Sequence, residues 1–141
     1  ALTKIWDFDG VTGRNGYGSL TVGGNKLYGM TATGGANNYG VLFELDPATN
    51  GYTVKVDFDG TNNGRFPTST LTLSNGKFYG VALAGGLFGG GVLFDWDPLS
   101  NILTPDINLN DPNGYMPYGS STIRQWRISK KVWRYIGRQP A

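Results

Sequence analysis

Hydrophobic residues recur at every second position along much of this chain. In Tyr52–Phe58, the residues Val54, Val56 and Phe58 alternate with Thr53, Lys55 and Asp57. Val41, Phe43 and Leu45 share one side of Val41–Leu45, and Leu20 and Val22 share one side of Ser19–Val22. A period of two marks a half-buried β-strand, because successive side chains leave opposite faces of the pleat. With Lys26–Ala32 these segments predict four short strands. Between them stand Gly24-Asn25, Gly34-Gly35-Ala36-Asn37-Asn38 and Asp46-Pro47-Ala48-Thr49-Asn50-Gly51. Gly and Asn accept positive φ, and Pro presets φ at a turn start, so each connection reads as a turn.

The set of four then returns. Leu20-Thr-Val-Gly-Gly-Asn-Lys-Leu-Tyr-Gly29 recurs as Leu71-Thr-Leu-Ser-Asn-Gly-Lys-Phe-Tyr-Gly80, and Gly40-Val-Leu-Phe-Glu-Leu-Asp-Pro-Ala-Thr-Asn50 as Gly91-Val-Leu-Phe-Asp-Trp-Asp-Pro-Leu-Ser-Asn101, both at an offset of 51. Aligned without gaps, residues 20–50 and 71–101 are identical at 14 of 31 positions. Trp6-Asp-Phe-Asp-Gly10 matches Val56-Asp-Phe-Asp-Gly60, and Asn63-Gly-x-x-Pro67 matches Asn113-Gly-x-x-Pro117. Four strands in a unit of roughly 40–50 residues is the spacing of a β-propeller blade. The expectation is an all-β fold of propeller-type blades, each a four-stranded antiparallel unit. Full blades are expected at about 19–59 and 70–110, with a partial third at 113–121. A sandwich would satisfy the alternation too, but it would not require so close a repetition.

The pattern predicts a lone fourth-type strand at Ile5–Asp9 and a first-type strand near Tyr118–Ser121. These are complementary pieces of one blade, and two blades cannot close a ring. Open strand edges invite pairing with another chain, so a homo-oligomer is expected, as a ring or an open polymer. After residue 121 the repeat stops. Residues 122–141 carry Trp126, Trp133 and six cations with no acid. They read as a hairpin completing the third blade or as an amphipathic helix, and a shifted reading frame would produce the same break.

Composition narrows the chemistry. His and Cys are both absent. That removes the usual base near neutral pH, the thiolate nucleophile, disulfides and the commonest metal ligand. No enzyme activity and no cofactor are expected. The net charge of +2 conceals a contrast, since residues 1–121 hold six basic and ten acidic side chains while the tail is wholly basic. A basic aromatic tail suits phosphates and bases, but packing is its simpler role, and no nucleic-acid partner is expected. No apolar run approaches the roughly 20 residues that span a bilayer.

The sequence also resembles a known family. Gly-Lys-(Leu/Phe)-Tyr-Gly, then Gly-Gly, then Gly-Val-Leu-Phe-(Glu/Asp)-x-Asp-Pro, then Asp-Phe-Asp-Gly is similar to the extracellular choice-of-anchor tandem repeat called GloVer, over roughly residues 5–120. The resemblance implies a blade-like fold and a secreted or cell-surface location. It implies no catalytic residues.

Several residues are candidates for chemistry. Asp7-x-Asp9-Gly10 and Asp57-x-Asp59-Gly60 resemble the opening of a calcium loop, with Asp57 and Asp59 as weak candidate ligands. The third counterpart, Asn108-Leu-Asn110, lacks the carboxylates, and strand-end turns explain all three. Asp46-Pro47 and Asp97-Pro98 read as turn starts. The paired glycines at 34–35 and 85–86 lack the context of a phosphate loop. Ligand contacts on a repeated scaffold concentrate in loops that differ between copies. Here Ala36-Asn37-Asn38-Tyr39 stands against Leu87-Phe88-Gly89-Gly90. Amides beside aromatic faces suit a neutral sugar, so Asn37, Asn38, Tyr39, Phe88 and Trp96 are the candidate ligand-binding residues. Trp96 has a competing reading as core, because Leu45 holds its place in the first unit. The expected role is a non-catalytic module for binding or adhesion, with glycans the leading ligand class. The competing role is a self-assembling structural subunit with no small ligand.

Overall fold

Each alternating segment pairs with its sequence neighbour. The computed structural model describes residues 2–109, and every regular element among them is a strand. The first sheet runs β1 (Thr21–Gly23), β2 (Lys26–Thr31), β3 (Val41–Asp46), β4 (Gly51–Asp57), in that order and antiparallel throughout. The second repeats it with β6 (Thr72–Ser74), β7 (Lys77–Ala84), β8 (Val92–Asp97) and β9 (Ile102–Asn108), and adds β5 (Arg65–Pro67) beside the far half of β7. Registers repeat as well. Leu27 faces Leu45 and Gly29 faces Phe43, as Phe78 faces Trp96 and Gly80 faces Phe94. Even the irregularities coincide, with register shifts at Leu42/Phe43 and Leu93/Phe94.

The turns follow from side chains that hold the backbone. Asp46 Oδ1 accepts the Ala48 N–H at 2.9 Å, and Asp97 Oδ1 accepts the Leu99 N–H at 2.9 Å. Asn50 (φ 60°) and Asn101 (φ 58°) complete these turns in the left-handed region, which Asn tolerates better than most residues. The proline turns are therefore local structure, as the sequence predicts.

One face of the first sheet packs on one face of the second. Tyr28, Met30 and Leu42 meet Phe78, Phe94 and Trp96, with Phe58 and Leu71 in the same cluster. The Tyr28 ring lies 4.6 Å from Phe78 and 5.4 Å from Trp96, and Phe58 lies 5.5 Å from Phe94. Fully burying a side chain the size of Phe58 is worth roughly 1.5–3 kcal/mol. Polar contacts also fix the seam: Thr21 Oγ1 donates to the Leu71 carbonyl at 2.6 Å, and the Ser19 N–H donates to Thr70 Oγ1 at 2.9 Å. A smaller cluster of Tyr79, Val81, Leu93 and Leu109 occupies the opposite face of the second sheet.

Two expectations change. Ile5–Asp9 is not a strand; it crosses the open face of the first sheet, with Trp6 stacked on Tyr52 at 4.5 Å and Phe8 against Phe43 at 5.5 Å. A strand needs a ladder partner, and no strand among the described residues lies beside this segment. The second difference is β5, which the alternation did not predict. In the first unit its place is held by the bridge Arg14↔Thr33, 51 residues before Arg65↔Ala84. The expected strand at 118–121, the partial third unit and the tail lie outside the described residues.

Candidate functional site

The connections after the second and fourth strands gather at one end of the sheets. Their backbone is the same in both units. The Gly35 N–H donates to the Gly10 carbonyl at 3.2 Å and the Gly86 N–H to the Gly60 carbonyl at 3.0 Å. Gly40 donates to Gly34, and Gly91 to Gly85, each at 3.0 Å. The packing is close enough to dictate the residue. At Gly85 (φ +77°) an added Cβ would stand 2.4 Å from the Gly60 carbonyl oxygen, so only glycine fits.

Carboxylates and amides anchor this end. Asp59 Oδ1 accepts the N–H groups of Thr61, Asn62 and Asn63 at 2.8–3.2 Å, and Oδ2 accepts the Asn62 amide at 2.8 Å. Burial pushes the Asp59 carboxyl up, but the hydrogen bonds from the Asn62 side chain and from the three N–H groups outweigh it and hold the group below the usual carboxylate range. Asp9 accepts from Thr12 and Val11 in the same manner, and those bonds depress it too. Asp57 Oδ1 accepts the Ala36 N–H at 2.8 Å. Its counterpart Asn108 Oδ1 accepts the Leu87 N–H at 2.7 Å, which explains why an amide can replace the carboxylate there. Asp57 and Asp59 thus both accept backbone N–H groups of the turns at this end. Among the described residues, no group of three or more His, Cys, Asp or Glu side chains could hold a metal. The glycine pair at 34–35 is likewise no open anion cradle, since Asn38 Oδ1 accepts the Gly34 N–H at 3.0 Å and Gly10 accepts that of Gly35.

The ligand-binding candidates separate. Trp96 is fully buried between the sheets, with its Nε1–H donated to Asn101 Oδ1 at 2.9 Å, so it belongs to the core. Asn38 sits at φ 59° and holds its own turn. Asn37 is exposed at the tip, with its Nδ2 donated to the Phe58 carbonyl at 3.1 Å. Tyr39 is half-buried against Gly60 and the next unit, its ring edge-on to Phe66 at 6.0 Å. Phe88 stands out from the second tip, 56% exposed, beside Leu87 at 71%. The two tips share one end, joined through the corner at 59–64, whose Gly60 touches Tyr39 on one side and bonds Gly86 on the other.

Sequence reasoning missed three participants. Leu87 extends the apolar tip that Phe88 begins. Arg65 and Phe66 lie against Tyr39, with the guanidinium 5.6 Å from the Tyr39 ring and 5.5 Å from the Phe66 ring. These two residues occupy the unspecified positions of Asn63-Gly-x-x-Pro67. Variation inside a fixed motif was the available signal.

A second feature is the open face of the first sheet. An apolar cavity of about 590 Å³ lies there, lined by Ile5, Trp6, Phe8, Leu20, Phe43 and Leu45 among others. Phe43 and Leu45 are the counterparts of Phe94 and Trp96, which are buried beneath the first sheet. Phe8 meets Phe43 at 5.5 Å and 63°, as Phe58 meets Phe94 at 5.5 Å and 61°.

No helix among the described residues is long and apolar enough to cross a membrane. A search of curated proteins finds no significant match. The model of the Gloeobacter/Verrucomicrobia repeat, the family its motifs resemble, matches residues 1–125, and on that match the chain belongs to this repeat family.

Proposed function

We propose that this chain is a non-catalytic, extracellular recognition module: two propeller-type blades that present variable turn tips to a glycan. The observation that carries the reading is one turn backbone with two decorations. Asn38 (φ 59°) and Gly89 (φ 79°) take the same conformation, and their N–H groups bond Gly35 and Gly86 at 3.3 and 3.4 Å. On that common frame one unit displays Ala36-Asn37 and the other Leu87-Phe88. A scaffold that holds its backbone constant while its exposed tips differ is built as recognition loops are. An exposed aromatic face beside amide groups suits the C–H face and hydroxyls of a sugar ring. The extracellular part of the reading is supported by the membership of the repeat family, and the non-catalytic part by the lack of Cys and His.

The test is a glycan array probed with the whole chain, followed by Phe88→Ala and Asn37→Ala. Phe88 is exposed and Asn37→Ala gives up one hydrogen bond, to the Phe58 carbonyl, so circular dichroism checks the fold of each variant, and binding should fall roughly tenfold or more at the tip that makes the contact. Array signals unchanged in both variants would overturn the assignment to these tips.

A second reading has its own support. The open face of the first sheet matches, position for position, a face that is buried in the second. It is therefore suited to receive another unit of the same repeat, and self-association would then be a role in itself.

A further inference from the structure

We propose that Arg65, flanked by Tyr39 and Phe66, binds the carboxylate of an acidic sugar; this inference rests on the glycan-binding reading and names the ligand class. An arginine offers five N–H donors in a planar fork. Arg65 gives none of them to an acceptor among the described residues, and its Nε lies buried without a hydrogen-bond partner. The lysines differ. Lys4 meets Asp7 at 2.7 Å, Lys26 meets Asp46 at 2.9 Å, Lys55 meets Glu44 at 3.9 Å and Lys77 meets Asp95 at 3.5 Å. Arg14, the counterpart of Arg65 in the first unit, is exposed. Arg65 is therefore the half-buried cation that no carboxylate among the described residues neutralises.

The acids of the same corner are occupied elsewhere, Asp57 with the Ala36 N–H and Asp59 with its own turn. What Arg65 does have is aromatic: the Tyr39 and Phe66 rings, 5.6 and 5.5 Å away. Phe66 is held at φ 57°, where bulky residues are strained, whereas the first unit places Asn15 there at φ 61°. A side chain kept in an unfavourable backbone conformation signals a site in which that side chain is used. A guanidinium with free donors beside two partly exposed rings matches a sugar that carries a carboxylate. The carboxylate takes the charged fork, and the C–H face of the ring lies on an aromatic wall.

The experiment is calorimetric titration of the whole chain with oligogalacturonate and with its neutral methyl ester. The acid should bind roughly tenfold or more tightly than the ester and weaken with added salt. Arg65→Gln should abolish that preference. Phe66→Asn relieves the backbone, so it should unfold later than the parent yet bind the acid more weakly, which a purely structural Phe66 would not do. Equal affinity for acid and ester, or an acid preference that survives Arg65→Gln, would overturn the inference while leaving glycan binding in place. No binding to either probe or to any array glycan would overturn both. Sulfated oligosaccharide serves as a further arm; a preference for sulfate over carboxylate would overturn the carboxylate assignment.

Discussion

At Asp59 three backbone N–H groups and one side-chain amide converge on a single carboxylate. Thr61 and Asn62 are exposed and their N–H groups can turn to water, whereas that of Asn63 is half-buried, so removing the acceptor by Asp59→Ala should cost about 1 kcal/mol through the lost turn. Asp59→Asn keeps an acceptor oxygen and should cost less. The pH dependence separates the two contributions. Because the folded carboxyl is held below its unfolded value, its stabilisation is complete above about pH 4 and disappears as pH falls through the folded value. Urea midpoints at pH 7 and pH 3 should therefore differ less in Asp59→Asn than in the parent, with Asp9 and Asp46, whose carboxyls are also depressed, still contributing acid sensitivity. Equal costs for Asn and Ala at pH 7 would sink this account. This residue also shows where sequence reasoning was limited. Asp-x-Asp-Gly is compatible with a cation or with a turn, and the sequence does not show the N–H groups that point at the oxygens. Trp96 was ambiguous for a similar reason, since a period of two gives a face but not what covers it.

Strands were the most legible elements. Alternation marked β1–β4 to within about two residues, and the repeat carried the assignment to the second unit. The exceptions were segments whose state depends on neighbours. β5 is three residues long, contains Phe66 at positive φ, and ends in Pro67, which an edge strand tolerates because it need not donate on both sides. Ile5–Asp9 has the spacing of a strand and none of the pairing. Its side chains nevertheless keep the repeat's contact, since Phe8 meets Phe43 with the geometry of Phe58 on Phe94. The difference lies in cover: Phe58 is fully buried and Phe8 is 42% exposed. Phe58→Ala should accordingly cost about 3–5 kcal/mol, and Phe8→Ala less than half as much. Thermal unfolding followed by circular dichroism measures both; similar losses at the two positions would mean that the segment before residue 10 is as well anchored as a strand.

On the scale of the molecule, two nearly equivalent sheets meet through one seam, and each leaves a face to be explained. The seam joins Tyr28, Met30 and Leu42 to Phe78, Phe94 and Trp96 in a single cluster. A unit of this kind cannot hide its apolar residues alone, which is the reason such units occur in series. The open face of the first sheet holds the same positions with no sheet upon it among the described residues, and Leu20 at its rim is 48% exposed. Phe43 and Leu45 are covered there by the segment before residue 10 rather than by a sheet, so the proposed self-association would use the exposed rim around Leu20. Light scattering should show a mass that rises with concentration, and Leu20→Glu should return it to that of one chain without altering the circular dichroism. Leu20 lines the cavity rather than the seam, so the charge would be tolerated in the folded chain but not beneath a second one. A stable mass of one chain at high concentration would remove self-association from the account and leave the turn tips and Arg65 as the proposed contact sites.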